Sequence, residues 1–209
     1  MRMFFTAIAA GAFAIAMGAP QAHAETEGDV YSLNTCPVSG QELGSMGDPV
    51  ILNHEGREIR LCCSGCTADF EENAAEHIAA IDAAMADDQR AFFPLTECLS
   101  MGGEATGDDA TEIVVNNRLF RLCCDSCVDD VQENWAEYVQ TVDEAVAEQQ
   151  RDSYPLETCL VSGQALDSMG GPVEYVIANR LIKLCCAGCE DALKEDPAGM
   201  IAEVDAARS

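Results

Sequence analysis

The stretch that decides the fold is RLCCSGC at residues 60–66, which places three cysteines within five positions. It returns as RLCCDSC at 121–127 and as KLCCAGC at 183–189. A single cysteine precedes each cluster, at Cys36, Cys98 and Cys159. Self-similarity at a fixed period is the mark of an array of like modules, so the sequence predicts one unit of roughly sixty residues written three times.

The residues around the cysteines also recur. An aromatic residue and a leucine lead into the first cysteine in YSLNTC, FPLTEC and YPLETC. CPVSGQELGSMGDPV at 36–50 returns closely as CLVSGQALDSMGGPV at 159–173, whereas the middle copy, CLSMGGEATGDDATEIV at 98–114, is shorter and divergent. We therefore predict module 1 at residues 25–90, a divergent module 2 at 91–152 and module 3 at 153–209.

The first 24 residues, MRMFFTAIAAGAFAIAMGAPQAHA, have a different character. Arg2 gives a basic start, an apolar run follows at residues 4–17, and the segment ends in the small-x-small sequence Ala22-His23-Ala24. This is the pattern of a secretory signal peptide, and its apolar run is too short to span a bilayer. We expect cleavage near Ala24 and a periplasmic or otherwise exported product without a membrane span in the mature chain.

The charge balance excludes some functions. The chain has 37 acidic and 11 basic side chains, for a net charge of −26, and the signal peptide carries one arginine and no acid. A field of this sign repels nucleic acid, so no nucleic-acid partner is expected. The sequence shows no Gly-rich phosphate loop, paired carboxylates or Ser-His-Asp arrangement, and we predict a binding protein that is not an enzyme.

Each unit predicts the same α+β arrangement: a cysteine-bearing turn, a β-hairpin, and a helix or helix pair. Two short alternating apolar runs meet at a turn signal, which is typical of a hairpin. An Ala- and Glu-rich segment follows each cluster and predicts helix, with a restart capped by Asn73, Asn134 or Asp196. The predicted strands are 50–53 and 58–61, 112–115 and 119–122, and 174–177 and 181–184.

The cysteines are predicted to converge on a metal ion. Cys62 ends a predicted strand and Cys66 lies in the first helical turn, where free N–H groups and the helix dipole stabilise a thiolate. Cys36 lies on a Gly turn that can fold back towards them. Zinc requires four ligands, with Cys63 available as the fourth, whereas copper(I) is satisfied by two or three thiolates. We predict zinc or copper(I), one ion per module, with all twelve cysteines as candidate ligands: Cys36, Cys62, Cys63, Cys66, Cys98, Cys123, Cys124, Cys127, Cys159, Cys185, Cys186 and Cys189.

Two other uses of the cysteines stay open at this point. Export and an even cysteine count favour a disulfide framework, although adjacent cysteines bridge each other only with strain. The CxxC pairs at 63–66, 124–127 and 186–189 would also suit thiol–disulfide exchange, but no unit shows the βαβ surroundings typical of such enzymes.

The spacing Cys36-x25-Cys62-x3-Cys66 on a turn–hairpin–helix frame resembles the TRASH and YHS domains, small treble-clef-like modules associated with heavy-metal sensing and trafficking. The ending LCCAGCEDALKEDPAGM at 184–200 is similar to the CCxxCxxxFxxDP ending of exported members. The resemblance covers nearly all of the mature chain, and its pattern implies three ligands per module. These are Cys36, Cys62 and Cys66; Cys98, Cys123 and Cys127; and Cys159, Cys185 and Cys189, which leaves Cys63, Cys124 and Cys186 as additional candidates.

Three functional hypotheses follow. The first is an exported protein that buffers, sequesters or hands on copper or zinc, with an envelope metal exporter or metalloprotein as partner and Cys63, Cys124 or Cys186 as entry ligand. The second is a set of structural zinc modules whose acidic helices bind a partner protein. The third is thiol–disulfide exchange through the CxxC pairs. Met46 and Met169 occupy matching SMG turns, and we expect them to be apolar plugs of the loop rather than copper ligands.

Overall fold

The computed structural model describes residues 28–107 and 109–208. The predicted signal peptide lies outside the described residues. Within them, no helix combines the length and apolar character that crossing a membrane would require.

Each module contains one hairpin, a short 3-10 turn that carries its last cysteine, a short helix and a longer helix. Every named strand pairs only with its hairpin partner, antiparallel. The α+β class predicted from the sequence is confirmed. The elements are β1 Val50–His54, β2 Arg57–Leu61, α1 Thr67–Glu72 and α2 Ala74–Gln89; β3 Thr111–Val115, β4 Arg118–Leu122, α3 Val128–Glu133 and α4 Trp135–Arg151; and β5 Val173–Ile177, β6 Arg180–Leu184, α5 Glu190–Glu195 and α6 Pro197–Ala207.

The hairpins close through two-residue turns in which both residues have positive φ. This is the backbone of the type I′ turn, which matches the twist of the flanking strands and suits Asn and Gly. Asn116 and Asn117 meet that requirement, whereas Ala178 adopts φ 49° without that advantage. The N–H group of Ala178 donates to Asp29 Oδ2 at 3.0 Å, which helps to hold this turn. The predicted strands agree with the structure to within one residue at each end.

The helix following each cluster is broken at the predicted position, but the predicted caps are only partly correct. Asp196 caps α6, because its carboxylate accepts the Gly199 N–H at 3.0 Å. Asn73 and Asn134 make no such bond to the helix that follows them. The side-chain amide of Asn73 instead turns back and donates to Asp69 Oδ1 at 3.0 Å, so the prediction of asparagine side-chain caps is wrong.

The three modules have separate cores, and each core also contacts or includes a residue of another module. Val114 of module 2 packs against the core of module 1, and Leu181 of module 3 lies within the core of module 2. Val30, ahead of module 1's first cysteine, packs against the core of module 3. The modules therefore pack together rather than hang as separate beads.

Two buried glutamines join successive modules. Gln89, at the end of α2, donates to Asn117 O at 2.8 Å and accepts from the Leu119 N–H at 2.9 Å. Gln150 makes the same pair of bonds to Asn179 O and Leu181 N in module 3. Each glutamine satisfies a backbone donor and acceptor on the next hairpin, as a buried backbone group requires.

A buried arginine opens the second strand of every hairpin. Arg118 is 1% exposed and forms ion pairs with Asp143 of its own module at 2.6 Å and with Asp29 at 2.8 Å. Arg180 adds a pair with Asp88 of module 1 at 2.7 Å, so module 3 contacts module 1 as well as module 2. The pairs equivalent to Arg118–Asp143 are Arg57–Asp82 and Arg180–Asp205.

We predict that Arg118→Ala lowers the free energy of unfolding by about 3–5 kcal/mol, because it leaves Asp29 and Asp143 without their buried counter-charge. Urea unfolding monitored by circular dichroism measures the loss. Arg90→Ala is the control, since the Arg90 side chain is 44% exposed in its pairs with Asp87 and Glu112. We expect this exposed site to cost less than about 1 kcal/mol. Equal losses for the two variants would contradict the prediction.

Candidate metal centre

Three cysteine sulfurs meet in each module. Within a group, all three Sγ atoms lie within 4.8 Å of one another. In module 1 the turn before the hairpin supplies Cys36, the residue after β2 is Cys62, and the 3-10 turn before α1 supplies Cys66. The groups are Cys36, Cys62 and Cys66; Cys98, Cys123 and Cys127; and Cys159, Cys185 and Cys189.

A tight loop aims the first cysteine at the other two. The Cys36 N–H donates to Gln41 O at 2.8 Å, and the Gly40 N–H donates to Cys36 O at 2.8 Å. Gly40 adopts φ 68°, a left-handed conformation that glycine reaches without steric cost. The backbone N–H groups of Val38 and Ser39 thereby hydrogen-bond to the Cys36 sulfur. The loops of Cys98 and Cys159 close through the same two backbone bonds.

The other two sulfurs are positioned by the end of the hairpin and the turn that follows. Cys63 is extended, with φ −164°, and its carbonyl accepts the Cys66 N–H at 3.2 Å. This reversal brings Cys66 Sγ to 3.7 Å from Cys62 Sγ. Cys66 precedes α1 rather than lying inside its first turn, a shift of one position from the sequence expectation.

The sulfur spacing fits a shared ion. Four sulfurs around one zinc at the usual Zn–S distance are about 3.8 Å apart. The Sγ–Sγ distances are 3.7 Å for Cys62–Cys66 and Cys123–Cys127, and 3.9 Å for Cys185–Cys189. A disulfide would require about 2.05 Å, and all twelve cysteines are free in the structure. Each three-cysteine group could therefore hold one metal ion.

The fourth cysteine of each cluster lies at the edge of its group. Cys63 Sγ is 4.0 Å from both Cys62 Sγ and Cys66 Sγ. Cys124 Sγ lies 3.7 Å from Cys127 Sγ, and Cys186 Sγ lies 3.9 Å from its CxxC partner. All three edge cysteines are half-buried. They are within reach of an ion held by the group and also reachable from solvent.

Hydrogen bonds favour a thiolate at the first cysteine. Burial raises the pKa of Cys36, but bonds from the Ser39 hydroxyl and from the backbone N–H groups of Cys62, Ser39 and Val38 outweigh it and lower the pKa to about 6. The same balance lowers the pKa of Cys159 to about 6 and that of Cys98 to about 7.

The pKa of the last cysteine of each group is shifted in the opposite direction, upwards. Burial raises the pKa of Cys66, Cys127 and Cys189 to about 12, and hydrogen bonding to neighbouring thiols adds to the shift. The expectation of a stabilised thiolate at the helix start therefore fails at Cys66, where burial raises the pKa, whereas the pKa of Cys63, directly ahead of the same turn, is lowered by the backbone N–H of Gly65. An incoming cation would displace the proton of the buried thiol, so binding is coupled to proton release.

The matching methionines do not plug their loops. Met46 is 62% exposed and Met169 is 64% exposed, so the expectation of an apolar plug is wrong. Each side chain projects from a turn between the first cysteine and the hairpin.

Sequence reasoning missed a serine contact at two of the groups. Ser39 Oγ lies 3.3 Å from Cys62 Sγ, and Ser162 Oγ lies 3.3 Å from Cys185 Sγ. The available signal was the repeated VSGQ sequence, in which the serine stands three residues after the first cysteine. The hydroxyl can donate to a thiolate and stabilise it.

The surroundings of the CxxC pairs differ from those of thiol oxidoreductases. All named strands in the described part of the chain form two-stranded antiparallel hairpins, so these pairs lie in no βαβ unit there. No family model, curated protein or solved structure matches the chain significantly. The assignment of the site therefore depends on its own geometry.

We predict that the reduced protein without metal gains thiolate absorbance with a midpoint between pH 6 and pH 7, because the first cysteine of each module has its pKa lowered to about 6 or 7. An ultraviolet pH titration measures it. Cys36→Ser should remove the contribution of module 1, whereas Cys66→Ser should leave a thiolate at Cys36. A titration that shows only ordinary cysteine pKa values would contradict the prediction.

Proposed function

We propose that this chain is an exported protein that binds a soft metal ion, copper(I) or zinc, in each of three modules, and buffers, sequesters or transfers it. Each module would be a treble-clef-like fold in which the turn before the hairpin and the start of the helical segment supply the ligands. The chain would act by binding rather than by catalysis.

The observation that carries the proposal is a sulfur spacing suited to one ion, repeated in three modules. Three thiols per group are a donor set for zinc or copper(I), which prefer sulfur, rather than for magnesium or calcium, which prefer oxygen. Three groups give the chain a capacity of three ions, which suits buffering, sequestration or transfer.

The edge cysteines suggest how an ion would enter and leave. In module 1, Cys36, Cys62 and Cys66 would hold the ion, and Cys63 would serve as the fourth or exchanging ligand. Cys63 is half-buried and its sulfur lies 4.0 Å from those of Cys62 and Cys66. An ion could pass from a carrier thiol to Cys63 and then to the buried group by successive thiolate exchange. Cys124 and Cys186 would have the same role in their modules.

The expected compartment and partner follow from the terminal segment and the surface charge. The signal-peptide pattern of residues 1–24 supports export to a periplasm or a similar space. A net charge of −26 supports solubility and disfavours a nucleic-acid partner. The partner would be an envelope metal exporter or a metalloprotein that receives the ion.

Burial of the ligands favours one alternative, in which the ions are structural zinc and the acidic helices bind a partner protein. Cys36 and Cys62 are each 1% exposed and belong to a core that contains Ile59 and Phe70. A closed structural site retains zinc under mild competition, whereas a carrier site releases its ion to a thiol competitor. Incubating the loaded chain with glutathione and measuring the retained metal distinguishes the two functions.

We predict that the mature chain, purified anaerobically, carries three ions, one for each cysteine group. When the chain is loaded with zinc, which requires four ligands, Cys66→Ala should lower the count by one, because only three cysteine sulfurs remain in module 1. Native mass spectrometry measures the number of ions.

The matched control is Ser64→Ala, which changes an exposed residue between the same cysteines without removing a sulfur. It should retain all of the ions. An unchanged count in Cys66→Ala, or a chain that takes up no soft metal while its thiols are reduced, would contradict the proposal.

A further inference from the structure

The loop of the first cysteine differs between modules at the third residue after that cysteine. Ser39, Met101 and Ser162 each stand three residues after the first cysteine of their module. The backbone N–H group of each hydrogen-bonds to that cysteine's sulfur, so the three residues occupy the same place in the loop. Met101 is therefore the counterpart of the two serines, and it is not a counterpart of the methionines in the SMG turns.

This exchange removes the serine contact of Cys123, the second cysteine of module 2, whereas the hydroxyl of Ser100 hydrogen-bonds to Cys127 in the same group. In modules 1 and 3 the serine Oγ lies 3.3 Å from the sulfur of Cys62 or Cys185. Methionine has no donor, and the Met101 side chain is 68% exposed rather than directed at the cluster. Cys123 thus lacks the side-chain contact that its two counterparts receive.

The same sulfur is also more accessible in module 2. Cys62 is 1% exposed and Cys185 is 3% exposed, whereas Cys123 is only half-buried. Gly103 stands where the other modules have glutamine, and a Cβ atom there would lie 3.1 Å from Cys123 Sγ. The glycine therefore leaves room for the Cys123 thiol on this side.

A polar pair replaces an apolar residue at the mouth of this site. Ser100 occupies the position of Val38 in module 1 and Val161 in module 3. Its hydroxyl bonds to the carboxylate of Asp130, which also accepts the Tyr138 hydroxyl at 2.8 Å. The module 2 site therefore has a hydroxyl beside Cys127 and Asp130 at the position where the other two modules have a valine.

We infer that module 2 is the exchange site of the array and that modules 1 and 3 are the retention sites. The inference rests on the proposed metal-binding function and assigns different roles to its three sites. A ligand thiolate that lacks one hydrogen bond is less stabilised, and an exposed thiolate is more open to an attacking ligand. Both effects act at Cys123 and increase the rate at which module 2 gives up its ion, and the residue at position 101 accounts for the missing serine contact.

The test uses the full mature chain loaded with zinc and then mixed with an excess of a zinc chelator. Samples taken over time are pulsed with an alkylating reagent, and peptide mass spectrometry reports the labelling of each module. We expect Cys123 and Cys127 to become labelled about tenfold faster than Cys62 and Cys66, the factor that one hydrogen bond to a charged acceptor provides. Equal or slower labelling of module 2, or no zinc protection of module 2 at all, would overturn the inference.

Substitutions at positions 101 and 39 distinguish the effect of the hydroxyl donor from the effect of the loop's shape. Met101→Ser should slow zinc loss from module 2 towards the rate of modules 1 and 3, because it restores the hydroxyl. Met101→Ala is the matched control, since it removes the thioether without adding a donor, and should leave the rate unchanged. Ser39→Met should accelerate loss from module 1 alone. If Met101→Ser and Met101→Ala behave alike, the assigned role of position 101 is wrong.

The labelling pattern also distinguishes failure of this inference from failure of the proposed function. If zinc protects no thiol in any module, the chain is not a zinc-binding array and the proposed function fails for that ion. If all modules are protected and lose zinc at one rate, the binding function stands and only the division into exchange and retention sites fails.

Discussion

The structure depends on the convergence of three sulfur atoms from separate parts of each module. The first comes from a loop closed by a left-handed glycine, the second from the residue after a hairpin strand, and the third from a 3-10 turn. Sγ–Sγ distances such as 3.7 Å for Cys62–Cys66 and 3.9 Å for Cys159–Cys189 are those of ligands around one ion. An ion at this point would join the loop, the hairpin and the helical segment, which share only a thin core in a unit of this size.

The modules cooperate through buried polar contacts. Gln89 and Gln150 each satisfy two backbone groups on the next hairpin, and Arg118 is held by carboxylates from two parts of the chain. These contacts begin at the same hairpins that end in the cysteine clusters. One β-strand therefore separates each cysteine cluster from the contacts with the neighbouring module. The three sites share this framework, whereas the loops around them differ.

Local features could be predicted from the sequence, because short-range signals determine them. The turn residues and alternating runs located the hairpins, and the spacing of Cys36, Cys62 and Cys66 indicated that they would converge. Cap preference alone failed at Asn73, whose amide found a closer partner in Asp69. Contacts between modules, such as that of Gln89 with Asn117, could not be predicted because no periodicity encodes which distant backbone group a buried amide will satisfy.

The pKa shifts of the cysteines could not be predicted from the sequence either. The helix-dipole argument placed the stabilised thiolate at Cys66, whereas the structure lowers the pKa of Cys36, because several N–H groups of a folded loop point at its sulfur. Likewise, the sequence shows only that Met101 is out of register with Met46 and Met169, and the loop hydrogen bonds are what pair it with Ser39.

The central claim is that the sulfurs of each module share one metal ion, and X-ray absorption spectroscopy of the metal-loaded mature chain tests it most directly. The account predicts a first shell of three or four sulfur atoms at about 2.3 Å from zinc, with at most one nitrogen or oxygen ligand. A first shell made mainly of oxygen or nitrogen would contradict it, because the ion would then be bound outside the cysteine groups.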